Sequence, residues 1–293
     1  MHTATRSAPT PIPTAVQTPA APQAAPSPEQ RPEGAVRIAV IGDYGLATPG
    51  EEDVARLVQS WRPDFVITTG DNNYPTGSPE TIDLNVGQFY HEFIAPYTGE
   101  YGAGAEQNRF YPVLGNHDWV DPGARAYLDY FTLPGNERYY DVSWGPVHLF
   151  ALDSMPGEPD GIESSSKQAA WLREGLAAAT EPWKLVTMHH PPYSSGPHGS
   201  TAALQWPYDE WGATAVLAGH DHIYERISRD GIVYFVNGLG GSIRYAAGKP
   251  VEGSQARYDD DFGAMLIEAD SSQITFRFTT RAGQLIDSYT ITR

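Results

Sequence analysis

An α/β fold with two packed β layers and helices outside is predicted by three features of this 293-residue chain. Short β-branched apolar runs alternate with stretches of helical spacing. Many of those runs stop at Gly-Asp, Gly-Asn or His. A second set of runs is joined by hairpin-type turns. The first set of strands is read at 36–41, 64–69, 110–114, 184–188 and 214–218. Between them, 48–61 (apolar at Val54, Leu57, Val58 and Trp61), 81–96, 124–131 and 166–179 have the spacing of helices that cover a sheet. The second set is read as antiparallel. It comprises 139–144 and 147–152 around Gly145-Pro146, then 225–229 and 232–237 around Asp230-Gly231. After a Gly-rich turn over 238–248, strands at 262–268, 273–279 and 285–291 complete the chain. No repeat of fixed period is present.

Residues 1–34 are rich in Pro, Ala and Thr, lack aromatics and show no apolar periodicity. They cannot repay the entropy of ordering and read as a semi-extended linker preceding a catalytic domain over 35–293. They also lack the basic start and apolar centre of a signal peptide, so the linker alone favours an extracytoplasmic location only weakly.

Composition narrows the function. Acidic residues number 36 against 19 basic, a formal net charge of −17 that disfavours a nucleic-acid scaffold or an anionic membrane partner. No apolar run approaches the roughly 18 residues of a membrane span. With no cysteine, a transition metal must be held by His, carboxylate, amide or phenolate. No protein partner is readable.

The strand ends carry the chemistry. In order they read Gly42-Asp43-Tyr44-Gly45, Gly70-Asp71-Asn72-Asn73-Tyr74, Gly115-Asn116-His117-Asp118, His189-His190 and Gly219-His220-Asp221-His222. Ligand-type residues at the ends of successive strands converge on one crevice. Except at His189, a glycine precedes the polar residue and lets the backbone turn. Five of nine histidines lie at these ends, the other four being His2, His91, His148 and His198. Mixed O and N donors suit Fe, Zn or Mn better than Ca, and paired cations can clamp a phosphoryl group. The plainer alternatives are that Asp43 and Asp71 are helix N-caps and Tyr74 a half-buried loop aromatic.

These five blocks resemble the calcineurin-like metallophosphoesterase superfamily over roughly residues 36–226. Most members place a metal-binding His two residues after the first Asp, where this chain has Gly45. The pairing of G-D-x-G with G-D-x-x-Y, and the string Gly219 to Arg226 (G-H-D-H-I-Y-E-R), is similar to purple acid phosphatases. That resemblance implies an αββα sandwich of four layers, two mixed sheets flanked by helices, with a dimetal site at strand C-terminal ends. It implies Fe(III) bound by Asp43, Tyr74 and His222, with Asp71 bridging to Fe(II), Zn(II) or Mn(II) at Asn116, His189 and His220. It further implies in-line attack of a metal-bound hydroxide on a small phosphomonoester, with His117 contacting phosphate and protonating the leaving oxygen. His190 and His198 lie where relatives carry further substrate-contacting histidines. Export is frequent among similar enzymes.

Two other functions compete: a phosphodiesterase of the same superfamily, and a non-catalytic metal-binding module. Asp118 is expected to orient a neighbouring histidine, and Glu225 to pair with Arg226 without a chemical role. His91 and His148 read as structural or surface residues. Tyr193, Trp206, Tyr208 and Trp211 fit either a substrate wall or the core.

Overall fold

The structure, a computed structural model, describes residues 34–293, so the expected linker lies outside the described residues but for Gly34. Thirteen strands form two mixed sheets among the described residues. The first sheet contains β1 (Val36–Ile41), β2 (Phe65–Thr68) and β3 (Phe110–Tyr111), all parallel. Its other half is an antiparallel meander of β11 (Gly263–Ala269), β12 (Gln273–Thr280) and β13 (Leu285–Thr292), with β11 paired to β1.

The second sheet holds β4 (Tyr140–Trp144), β5 (Val147–Ala151), β6 (Trp183–Thr187), β7 (Ala215–Ala218), β8 (Tyr224–Arg229), β9 (Ile232–Asn237) and β10 (Ser254–Tyr258). Its order is β10-β8-β9-β7-β6-β5-β4. The hairpins β4–β5 and β8–β9 are antiparallel as the turns predict, but β5, β6, β7 and β9 are parallel neighbours. The two predicted strand sets therefore merge within each sheet.

Side-chain alternation explains the layering. Leu149, Leu185, Leu217 and Phe235 join the larger apolar cluster, which also takes in Val40, Ile67 and Met265 of the first sheet. Their neighbours Phe150, Val186, Val216 and Tyr234 point the other way, into a second cluster. Leu172 and Leu176 of α3 (Lys167–Ala178) cover that second face, together with Trp206 and Tyr208. Tyr193, Trp206 and Tyr208 are thus core residues, with Trp211 packed against them. On the first sheet α1 (Pro49–Ser60) packs on β11. Thr48 caps α1 by accepting from Glu51 N, and Glu51 reaches back past the cap to the N–H groups of Leu46 and Ala47, a variant of the capping box.

Three expectations change. The 81–96 segment is not one α-helix but a π turn over Asp83–Gly87, a short α2 (Gln88–Tyr90) and a 3-10 turn over His91–Phe93. Its Asp83 carboxylate is held from outside by the Tyr97 and Tyr130 hydroxyls and the Glu100 N–H, and Asn85 by Asn73 and Tyr74. These tertiary bonds override the helical spacing. Strand β3 stops at Tyr111 because Pro112 has no N–H to extend the ladder. Strand β10 has no counterpart in the sequence reading: it is an edge strand with polar residues and little apolar signal.

Candidate metal centre

The crest formed by the ends of β1, β2, β6 and β7 and the loop after β3 gathers the predicted residues into two adjoining clusters. Glycines permit the crowding, though mostly not by turning. Of the glycines that directly precede these residues only Gly70 takes a left-handed φ (+90°), whereas Asp43, Asp71 and His220 themselves sit at φ 56°, 53° and 70°. Such backbone is costly for residues with a side chain and concentrates at functional sites. A Cβ at Gly42, Gly115 or Gly219 would overlap Thr69, Asp71 or Asp43. The same holds at Gly45, whose place a Cβ would contest with the Asn72 carbonyl. The first block therefore has no room for a side chain where most of the superfamily carries histidine.

The first cluster is Asp43, Asp71, Tyr74 and His222, all buried. The Tyr74 hydroxyl donates to Asp71 Oδ2 at 2.8 Å and lies 3.1 Å from His222 Nε2 and 3.5 Å from Asp43 Oδ1. His222 Nε2 is 3.3 Å from Asp43 Oδ1. Burial first, then the charges of Asp43 and Asp71, push the Tyr74 phenol well above its usual range. Burial opposes the charged form of His222, but Asp43, by charge and hydrogen bond, outweighs it and raises the imidazole above its ordinary value.

The second cluster shares Asp71. His189 Nε2 lies 2.9 Å from Asn116 Oδ1, 3.2 Å from His220 Nδ1 and 3.5 Å from Asp71 Oδ1. His189 Nδ1–H donates to the Thr69 carbonyl at 2.8 Å, so Nε2 presents a lone pair to the oxygens of Asn116 and Asp71. Three acceptor atoms face one another, which suits a cation between them. His222 is set the same way, its Nδ1–H donating to Ile243 O at 3.0 Å. Burial and the neighbouring histidines, His189 foremost, hold His220 far below the usual imidazole range. In the first cluster two carboxylates, a phenol and an imidazole suit a hard, highly charged ion, whereas the nitrogen-richer second cluster suits a borderline divalent one.

Other predicted residues surround this pair. His117 N donates to Asp71 Oδ1 (2.9 Å), its Nδ1–H donates to Pro75 O (2.7 Å), and its ring packs on Tyr74 with centroids 4.3 Å apart. His190 and His198 each lie 4.4 Å, centroid to centroid, from the His220 ring. Burial and then His189 push His190 down to about 3. Asp221 accepts from the N–H groups of His198 and Gly199, which fixes the His198 loop against the site. His148, by contrast, is held between Asp141 and Glu181, and His91 bonds Gly87 O.

Three expectations are corrected. Asp118 orients no histidine: it accepts from the N–H of Gly115 and from the N–H and amide of Asn72. Burial, and behind it the Asp71 charge, raise Asp118 to about 6. Arg226 pairs with Asp287 (2.7 and 3.1 Å), while Glu225 accepts from the backbone and hydroxyl of Ser195 and from Ser254. The Gly-rich segment is more than a turn. Gly240 N and Ser242 N bond Gly42 O and Asp43 O, and Tyr245 stacks on His222 with centroids 4.3 Å apart. The helix-cap alternative for Asp43 and Asp71 fails, because Thr48 caps α1 and the helical turn that follows β2, over Asp83–Gly87, begins at Ile82 with no side-chain cap.

Sequence reasoning passed over Asn85, Ser154 and Asn72. Asn85 bonds the Tyr74 carbonyl, and Asn72 ties Thr68, Val113 and Asp118 together. Ser154 stands just past the end of β5, a position the strand-end rule would have reached.

A two-sheet fold with paired donor clusters at its strand ends suits a metal-dependent hydrolase, and comparison with known proteins narrows the class. The calcineurin-like phosphoesterase family model matches residues 36–224, and the chain belongs to that family. It is a metal-dependent phosphoesterase. Human tartrate-resistant acid phosphatase type 5 is 28% identical over 244 residues, covering 70% of this chain and 73% of the relative. Purple acid phosphatase 17 of Arabidopsis thaliana is 28% identical over 242 residues, with 72% and 69% covered. The solved purple acid phosphatase PPD1 of yellow lupin superposes with a TM-score of 0.71 at 21% identity, over 92% of this chain and 55% of that one, a likeness of fold. No helix among the described residues is long and apolar enough to cross a membrane.

Proposed function

We propose that this phosphoesterase hydrolyses small phosphomonoesters at an iron-containing metal pair. Fe(III) would be held by Asp43, Asp71, Tyr74 and His222, and Fe(II), Zn(II) or Mn(II) by Asp71, Asn116, His189 and His220. The observation that carries the reading is the Tyr74 hydroxyl, within bonding reach of Asp71 and His222 beside a Gly45 that admits no side chain. When bound, the ions supply Lewis acidity, neutralising charge on phosphoryl oxygens and acidifying water.

The protein's own groups do the rest. Asp71 turns Oδ2 to the first cluster and Oδ1 to the second, which suits a bridging carboxylate. Backbone carbonyls fix His189 and His222 with Nε2 lone pairs inward. His117, anchored through Nδ1–H to Pro75, keeps Nε2 for a proton that its imidazolium form delivers to the leaving oxygen. An extracytoplasmic setting, in keeping with the relatives and the Pro-rich residues 1–34, completes the proposal; cell fractionation tests it.

The deciding experiment is the ratio of kcat/KM on an aryl phosphomonoester and its diester, with iron-loaded protein from acidic to alkaline pH. A strong monoester preference is expected, with turnover about a hundredfold lower in Asn116→Ala. A diester preference would make the protein a phosphodiesterase. No turnover of either with both metals bound would make it a binding module.

A further inference from the structure

The second cluster contains one histidine more than it needs. His189, His190 and His220 each offer a ring nitrogen within 4.8 Å of the others, while Asn116 and Asp71 also face His189. Ser154 decides what the extra one does. It is 1% exposed, and its Oγ lies 2.9 Å from the backbone N–H of His190 and 3.0 Å from His190 Nδ1. An amide can only donate, so Oγ accepts from it. The hydroxyl proton then needs an acceptor, and among the described residues Nδ1 is the one partner placed to take it. Leaving a buried hydroxyl proton unpaired is unfavourable. Nδ1 therefore bears a lone pair, and the ring proton sits on Nε2. Nε2 has no protein partner among the described residues and is not closed off from solvent. Its ring packs beside His220 and His189, with centroids 4.4 and 5.0 Å away.

We propose that Ser154 locks His190 as the Nε2–H tautomer, so that His190 is not a metal ligand but a fixed hydrogen-bond donor to an oxygen of a phosphate group held beside His189 and His220. The contrast with His189 and His222 supports this. Their Nδ1 atoms meet carbonyl oxygens, which only accept, and their Nε2 atoms are left as lone pairs. His190 Nδ1 meets a hydroxyl whose proton has nowhere else to go, and its Nε2 becomes a donor. Ser154 is a positioning residue, acting through His190. The inference rests on the phosphoesterase reading of the site, and its test separates the two.

Long-range proton–nitrogen spectra of the metal-free protein, with His190 assigned by loss of its signals in His190→Gln, report which ring nitrogen is protonated. Nε2–H is expected in the wild type and a mixture in Ser154→Ala; an Nδ1–H ring in the wild type would overturn the proposal. Metal analysis and titration with inorganic phosphate form the second arm. Loaded Ser154→Ala and His190→Ala should keep both ions yet bind phosphate about tenfold more weakly, with affinity recovered in Ser154→Thr. Loss of an ion from His190→Ala, or phosphate affinity unchanged in it, would overturn the proposal. A wild type that takes up no metal fails the proposed function instead, while the metal-free spectra still decide the tautomer.

Discussion

The two halves of the candidate site meet at Asp71 and differ in nearly every physical respect. In the first, Asp43, Tyr74 and His222 are at most 6% exposed, two carboxylates lie within reach of one phenol, and the Tyr74 proton stands where a cation would. The second is half open at Asn116 and His220, and Asp71 is its one carboxylate. Its lone pairs face one another with no proton of His189 between them. A deep, anionic, oxygen-rich half suits a small, highly charged ion, and a shallower nitrogen-rich half a divalent one. One residue, Asp71, couples them.

The largest effect is expected where the halves join. Asp71→Asn should lower metal content in both halves and reduce kcat on a phosphomonoester by about a thousandfold or more, since on the proposed ligand set each half would lose a ligand. Loss of one ion alone, by elemental analysis, would break the view that Asp71 serves both. Next, Asn116→Ala should cost about a hundredfold in kcat/KM and empty only the second half, leaving any ferric colour in place.

Tyr74→Phe should abolish that colour and weaken the first half alone; a coloured variant would remove tyrosinate from the ligand set. The same tyrosine predicts a proton count. Its pKa is held above the normal phenol range, so it is neutral in the metal-free protein and, as the proposed ligand, would lose its proton on uptake. Calorimetry in buffers of differing ionisation enthalpy should show one proton fewer released by Tyr74→Phe, and loading of the wild type should weaken as pH falls.

The smallest effect lies at the opposite end of β6, outside both halves. Glu181 is lowered to about 2 by a hydrogen bond from Ser143 and by His148. Its stabilisation is present above the unfolded value of 4.5 and is lost as pH falls towards 2. Glu181→Gln should therefore lose less Tm than wild type between pH 5 and 3. The side chain is part-buried, 17% exposed, so the difference should be about 1–2 kcal/mol, with metal content unchanged.

Much of the fold was legible because period-two alternation and strand-end punctuation are local. The strands of both sheets lie within a residue or two of their predicted ranges except at β3, which ends early, and at β10, which was not read. The failures share one cause: at 81–96, at β10 and in the 238–248 segment, the deciding bonds come from residues distant in sequence. Asp83 answers to Tyr130, β10 to β8, and Gly240 to Gly42. Asp118 misled for the same reason, since its neighbour in the chain is His117 but its side-chain partner in space is the distant Asn72.

The sequence by itself determined which side chains stand at the strand ends, because strand length and the glycines beside them are written locally. It also determined that any ligand set must be oxygen and imidazole, because there is no cysteine. Only the tertiary structure decided which ring nitrogen each histidine presents. That choice depends on a carbonyl or hydroxyl supplied from elsewhere: Thr69 for His189, Ile243 for His222 and Ser154 for His190. A proton on an imidazole follows its nearest partner in space, and no spacing along the chain encodes that distance.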